Sequence, residues 1–398
     1  MTRPGLHIVT TVPQSLYALL AGQPRRLAGT FDLTLIASPD AALRAVGERE
    51  GVPTHGVAMT RSISPIADLQ ALWRLYRWFH QQRPEIVQSY TPKGGLLAMT
   101  AARMAGVPVR VHGIVGMPLM VARGWRRQVL AIAERFTYAM STHLMCNSTG
   151  LRSWVEKHLS PRRPISVVAG GSINGVDLDH FTPASPAMRE AKRRELGIGP
   201  ETTVFAFLGR LVRDKGVTEL LVAFDGLRQA HRDVVLLVVG DQERERDPLP
   251  TETVARLAAG AGVICLGWHD DIRPALAAAD VCVLPSHREG LPNTLLEAGA
   301  SGLPVVASDI NGCNEVVEHG RTGILVPVGN AEALHDALLV LLDLETRRAM
   351  GSAARQRVAD RFDHAEYCRA LEEYYIEALN SSRQRAGRMV EPSQYRHV

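Results

Sequence analysis

Cysteine, aromatic residues and long apolar runs are all scarce in this 398-residue chain, and each shortage removes a class of protein. The five cysteines, Cys146, Cys265, Cys282, Cys313 and Cys368, are odd in number and lack metal-ligand spacing, so reduced thiols are expected in place of a disulfide framework or a zinc site. Cys265 and Cys282 fall in strand-like apolar stretches and read as core residues. Aromatics at 5%, with no recognisable nucleic-acid motif, place nucleic acid last among possible partners. No apolar run approaches the roughly 18 residues of a membrane span. At the amino end, residues 6–11 are too short for a signal-peptide core and run into Val12-Pro13. A cytoplasmic protein is the expectation.

What is present describes an ordinary α/β protein: 46% hydrophobic residues, and a length that suits two domains, each able to bury its own core. The net charge of +4 hides an asymmetry. Residues 1–182 hold 20 Lys or Arg against 10 Asp or Glu, a balance of +10; the remainder holds 25 against 31, a balance of −6. A basic amino-terminal half predicts an anionic partner, either a phosphorylated substrate or a lipid surface.

Short β-rich runs alternate with longer helical stretches twice over. In the first half, residues 6–11, 33–37, 86–89, 109–115, 143–146 and 165–168 read as strands; in the second, 204–208, 234–239, 263–266, 281–284, 304–307 and 323–326 do. Such alternation predicts parallel, doubly wound sheets. The break falls near Asn174-Gly175-Val176-Asp177 and Phe181-Thr182-Pro183, with residues 170–175 as a hinge and a charged helix at 188–196 after it. Residues 365–379 read as an amphipathic helix, and beyond Asn380 a loosely ordered polar tail is expected.

Two segments carry chemistry. Arg288-Glu289-Gly290-Leu291-Pro292-Asn293-Thr294-Leu295-Leu296-Glu297 sets two carboxylates eight residues apart across a strand-to-helix junction. Glu289 falls on the loop at a strand's carboxyl end, where open α/β sheets place ligands, and Glu297 lies in the following helix. Phe205-Ala206-Phe207-Leu208-Gly209-Arg210-Leu211-Val212-Arg213-Asp214-Lys215-Gly216 reads as a strand, a glycine loop with two cations and a helix start. Gly209 allows backbone to approach an anion, Arg210 offers a planar fork of donors and Lys215 a compact charge.

Together with Ser308-Asp309-Ile310-Asn311-Gly312-Cys313-Asn314-Glu315-Val316-Val317 and Gly320-Arg321-Thr322-Gly323-Ile324-Leu325-Val326-Pro327, these segments resemble the donor half of retaining family 4 glycosyltransferases of GT-B fold, and the resemblance covers essentially the whole chain. It implies two Rossmann-like doubly wound parallel-sheet domains facing a cleft: an acceptor-binding domain at 1–180, a nucleotide-sugar donor domain at 181–364, and at 365–398 a helix crossing back to the first domain with a polar tail. The implied donor is a nucleotide-diphosphate sugar, a UDP-sugar above all. Arg210 and Lys215 would neutralise the leaving diphosphate, Glu289 would orient the sugar hydroxyls, Glu297 would hold the ribose, and Gly209, Gly290, Leu291, Asn293 and Thr294 would line the donor. No cofactor is expected. No Asp-x-Asp element is read that would hold a metal, and Asp270-Asp271 is adjacent and more simply begins a helix.

The amino-terminal half narrows the resemblance. Thr10-Thr11-Val12-Pro13-Gln14-Ser15-Leu16 lacks the glycine pair of many relatives. With Ser89-Tyr90-Thr91-Pro92-Lys93-Gly94-Gly95-Leu96-Leu97 and Ala101-Ala102-Arg103-Met104-Ala105-Gly106-Val107-Pro108-Val109-Arg110, it resembles bacterial transferases that extend undecaprenyl-diphosphate-linked sugars. A lipid-linked saccharide acceptor is implied, met by Ser15, Thr91, Lys93 and Gly94. Free N–H groups at the helix start from Thr91 to Gly95 would cradle its phosphate, or the segment is a simple helix cap. His112-Gly113 matches the family's catalytic histidine in one alignment; in the other, Val115-Gly116 takes its place. The segment Trp73-Arg74-Leu75-Tyr76-Arg77-Trp78-Phe79-His80 mixes aromatics and cations as an anionic membrane surface requires, or packs as a core helix. Trp125, Arg126 and Arg127 are the expected membrane contacts, which would make the protein peripheral at the inner face of the cell membrane. Three other readings stay open: transfer to a soluble acceptor, a nucleotide-sugar epimerase of the same architecture, and an inactive sugar-nucleotide-binding subunit.

Overall fold

A computed structural model of the chain describes residues 3–60, 62, 64–120, 122–243 and 247–390. It divides into two compact units, one formed by the residues up to Asn174 together with those from His364 onward, the other by Gly175–Asp363.

The first unit is built on a parallel sheet of β1 (Gly5–Val9), β2 (Asp32–Ala37), β3 (Thr54–Gly56), β4 (Ile86–Ser89), β5 (Val109–Ile114), β6 (His143–Cys146) and β7 (Ile165–Val167), in the order β3-β2-β1-β4-β5-β6-β7. Its strands are short apolar runs because helices cover both faces and leave no wet side for a polar alternation. Sequence reasoning missed β3, since Thr54-His55-Gly56 has no apolar run: it is an edge strand, paired on one side only, against Leu35–Ala37. The last helix, His364–Val390, packs into this unit. Tyr367, Leu371, Tyr375 and Ala378 recur at helical spacing and are buried; Tyr375 meets Phe31 edge-on at 5.8 Å and donates to Gln88 Oε1 at 3.1 Å. The loose tail expected from Asn380 is corrected over 380–390, where the helix continues; the remainder of that expectation lies outside the described residues.

The second unit carries β8 (Thr203–Leu208), β9 (Val234–Val239), β10 (Val263–Gly267), β11 (Val281–Leu284), β12 (Val305–Ser308) and β13 (Gly323–Val326), all parallel and in the order β10-β9-β8-β11-β12-β13. Cys282 sits in its core, but Cys265 does not: it is exposed on β10, an edge strand with an irregular register at that point, and the expectation of a core thiol is corrected.

Both sheets grow outward from a central pair in opposite directions. The chain order reverses between β1 and β4 in the first unit and between β8 and β11 in the second. In open α/β sheets the crevice at the carboxyl ends of such a pair is where ligands bind.

Candidate active site

At the reversal point of the second sheet, two loops are pressed together. Gly216, at φ +68°, follows the turn Arg213–Lys215 and lies so near Pro285 that a Cβ would come within 2.0 Å of the Pro285 carbonyl oxygen. The His287 N–H donates to Asp214 O at 2.7 Å, and Arg288 pairs with Asp214 at 2.5 Å. This clamp brings the β8 and β11 loops into register. The result is an ion pair between Lys215 Nζ and Glu289 Oε1, both largely buried, joining residues that the sequence holds 74 positions apart. Arg210 reaches outward, its side chain 57% exposed, and pairs with Glu243 beyond β9.

Backbone approach explains the glycines. Gly240, at φ +141°, stacks so closely on Gly209 that a Cβ would lie 2.0 Å from its carbonyl oxygen; Gly312, at φ +84°, sits likewise against Gly290 O. Asn311 Nδ2 donates to Gly290 O at 3.4 Å, and Thr294 Oγ1 to Leu208 O at 3.4 Å. Leu291 is buried. Asn293 and Thr294 open the helix Asn293–Ala300, whose first turn has no side-chain cap. Glu297 is half-buried beside Cys282, and its carboxylate makes no hydrogen bond or ion pair among the described residues. Burial pushes its carboxyl up to about 7, and pushes the neighbouring Cys282 thiol up to about 12. The arrangement offers cations to an anion at the strand ends and an open acceptor one turn into a helix. Sequence reasoning missed Glu243, Gly240 and the buried, unpartnered Ser286 hydroxyl. A glycine directly after the apolar run of β9, as Gly209 follows β8, is the signal that was there to read.

The same edge of the first sheet is closed. Thr11 Oγ1 and Thr91 Oγ1 lie 2.7 Å apart across the β1 and β4 ends; Thr91 Oγ1 also accepts the Thr11 N–H at 3.0 Å, and Thr11 Oγ1 the Gly94 N–H at 3.1 Å. The Gly95 N–H donates to Thr91 O at 2.6 Å. Free N–H groups at Gly94 and Gly95 are therefore corrected: both are used, and Pro92 has none. Lys93 binds Asp68 at 2.5 Å and Thr60 Oγ1 at 3.1 Å, which turns it toward the neighbouring helix. Ser15 is half-buried in the first turn of the helix Pro13–Leu19.

His112 is 2% exposed inside β5, with Nδ1 2.8 Å from Ser89 Oγ and its ring against Gly95, where a Cβ would come within 2.3 Å of Cε1. Burial lowers its pKa to about 4. It faces a helix, and the chain becomes exposed only after the strand has ended, at Gly116. The aromatic segment after residue 72 divides. Leu75 and Phe79 are core and Trp78 stacks on His55 at 3.6 Å, while Trp73 is exposed beneath Arg77. Trp125, Arg126 and Arg127 all lie exposed on the helix Gly124–Met140.

Metal ligation needs one correction. An Asp-x-Asp triplet does occur, at Asp177-Leu178-Asp179, just before the region read as the donor half. Asp177 Oδ1 accepts the backbone N–H groups of Asp179 and His180, both at 3.0 Å, so it closes its own turn. Asp271 likewise accepts the Arg273 N–H at the start of the helix Arg273–Ala278.

Comparison with known proteins agrees with this geometry. Residues 202–344 match the family described as glycosyl transferases group 1, and residues 12–171 the glycosyl transferase 4-like domain. The chain is 31% identical to the UDP-Gal:alpha-D-GlcNAc-diphosphoundecaprenol alpha-1,3-galactosyltransferase of Escherichia coli, over 88% of this chain and 90% of that protein. It is 28% identical to the capsular polysaccharide biosynthesis glycosyltransferase CapM of Staphylococcus aureus, over 94% and 97%. In fold it is similar to Anabaena HepE, solved with UDP and glucose, at a TM-score of 0.80 and 19% identity over 94% of this chain and 99% of that one. The epimerase reading falls with these matches: the chain belongs to the family 4, or group 1, glycosyltransferases of GT-B fold.

Proposed function

We propose that the protein transfers a sugar, with retention, from a UDP-sugar to a polyprenyl-diphosphate-linked saccharide in the assembly of a bacterial glycan, without a metal. The observation that carries this reading is the Lys215–Glu289 pair at the reversal point of the second sheet, with Arg210 on the same β8 loop, turned outward to Glu243. A diphosphate arriving there meets Lys215, Arg210 and the uncapped first turn of Asn293–Ala300, fixed donors in a partly buried setting where charge stabilisation is strong. Glu289, held by Lys215, accepts from the sugar hydroxyls near the anomeric carbon. Glu297, with no protein partner, accepts from the ribose. As the bond between anomeric carbon and diphosphate oxygen breaks, the leaving oxygen takes the acceptor's proton and the new bond forms on the same face. His112, neutral and buried, takes no proton in this scheme.

The acceptor class rests on the Escherichia coli relative, named for a diphosphoundecaprenol acceptor. It also fits the surface of the first unit, where Trp125, Val129, Ile132 and Phe136 form an exposed apolar stripe along one helix whose first turn also exposes Arg126 and Arg127, with Arg123 just before it. Such a helix lies in the headgroup layer of an anionic membrane. The test is incubation of UDP-galactose, UDP-glucose and the two UDP-N-acetylhexosamines with GlcNAc-diphosphoundecaprenol, with products read by mass and by the anomeric proton coupling. A glycosylated lipid with an α linkage is expected without added metal and in the presence of a chelator. Activity on free sugars alone, or a β-linked product, would overturn the acceptor or the retention respectively. Recovery with floating phosphatidylglycerol vesicles at low salt is expected, and Arg123, Arg126 and Arg127 changed together to Ser should reduce it.

A further inference from the structure

The first unit contains a cavity that the proposed transfer does not use. Its volume is about 770 Å³, and Arg135, Tyr138, Leu159, Ser160, Arg162 and Arg163 are among its walls. Arg135 and Tyr138 come from the last turns of the helix Gly124–Met140, which leads into β6; Arg162 and Arg163 lie in the connection that enters β7. The cavity therefore stands at the amino ends of β6 and β7, the opposite edge from a ligand site at the strands' carboxyl ends.

Three guanidinium groups line it, and none forms an ion pair with a described residue; Arg135 makes only a long contact, 3.5 Å, to the His158 carbonyl oxygen. The surroundings add positive charge. Burial is the main reason that Arg110 and His143 hold their protons less tightly; after it, Arg103 and Arg163 lower Arg110 further, and Arg385, Arg163 and Arg110 lower His143. Glu134, one turn before Tyr138, is buried, and burial pushes its carboxyl up to about 7, so it brings less negative charge than an exposed glutamate. An unpaired arginine cluster around a cavity is built for a multivalent oxygen anion, because the guanidinium fork matches a phosphate's oxygens. The position selects the kind of phosphate. On the same helix, Ile132 lies three residues before Arg135 and so next to it on the surface; it is exposed, and with Phe136, four residues on, it continues the apolar stripe from beside the cavity.

We propose that this cavity seats the phosphodiester head group of an anionic membrane lipid, whose acyl chains lie along the Trp125–Phe136 stripe, and that it is a second phosphate site separate from the donor's. This rests on the membrane docking proposed above and names the group that docks. The arginine charge inside the cavity is complementary to that head group, and the stripe beside it to the chains.

Calorimetric titration of the full chain with dihexanoyl-phosphatidylglycerol below its micelle concentration tests it. Saturable binding is expected, at least tenfold tighter than dihexanoyl-phosphatidylcholine or inorganic phosphate. Arg162→Ser with Arg163→Ser should weaken it at least tenfold with an unchanged melting temperature; Arg135→Ser is the second probe should that pair fail to fold. Equal affinity in these variants overturns the cavity, and inorganic phosphate binding as tightly as the lipid makes it a site for free phosphate and overturns the lipid assignment. Flotation separates the two readings. Wild-type protein that does not float with phosphatidylglycerol vesicles removes the membrane docking and this proposal with it. Wild-type and double variant that float and bind the short-chain lipid equally remove the cavity alone.

Discussion

The two sheets reach their reversal points by the same topology and seal them with different chemistry. Between β1 and β4 the seal is a pair of hydroxyls, Thr11 and Thr91, with the Gly94 N–H folded into the same network. Between β8 and β11 it is the ion pair of Lys215 and Glu289. A hydroxyl pair satisfies itself, so that edge closes and packs: His112 can press against Gly95 and stay neutral. An ion pair keeps unused donor and acceptor capacity on both partners, and a buried charge with spare capacity is ready for a ligand's charges. Topology offers a crevice twice; side-chain chemistry decides which one is charged.

The largest effect expected from breaking this contrast is on turnover. Arg210→Ala or Lys215→Ala should lower kcat roughly 10²-fold or more, the scale seen when one transition-state donor is removed; the melting temperature should stay close to the parent's in Arg210→Ala, whose side chain is exposed, and fall in Lys215→Ala, which leaves the buried Glu289 unpaired. Steady-state rates within twofold of wild type in both variants would remove the charged seal from catalysis. Lys215→Ala strands Glu289 without its partner, so Glu289→Gln added to it should cost far less than Glu289→Gln alone, and additive losses would mean that the two act separately.

The closed seal answers to packing. In Gly95→Ala the new methyl would meet the His112 ring at 2.3 Å, and the cost should be about 1–3 kcal/mol of stability, measured by denaturant unfolding, with UDP affinity unchanged. A loss of UDP binding in a folded Gly95→Ala protein would couple the two seals and break the distinction between them.

The smallest effect is a pH dependence. A carboxyl whose pKa is raised by burial stays protonated after the unfolded chain's glutamate has ionised, so Glu297 costs stability as pH rises from about 4.5 to about 7, and the cost is constant above that. The ionised form is the better acceptor for ribose hydroxyls. UDP affinity should therefore rise a few-fold between pH 6 and 8 and stay flat in Glu297→Gln. A parallel rise in both proteins would place the titration elsewhere.

Local pattern determined much of this molecule from the sequence alone. Apolar runs too short for helices and bounded by turn residues located twelve of the strands, because a strand buried on both faces must be apolar throughout. The glycines and charges of 205–216 and 288–297, with 308–317 and 320–327, carried the resemblance to the family. What the sequence could not decide is which groups end as partners. Thr54–Gly56 became a strand only because Leu35–Ala37 was there to pair with it, and Cys265 was exposed only because its strand became an edge. Lys93 and Lys215 look alike in sequence, each a cation near glycines at a helix start. Tertiary structure gave Lys93 to Asp68 on the neighbouring helix and Lys215 to Glu289 at the strand ends. Coulomb energy depends on distance through space, and residues 74 positions apart have no spacing that a sequence pattern can register.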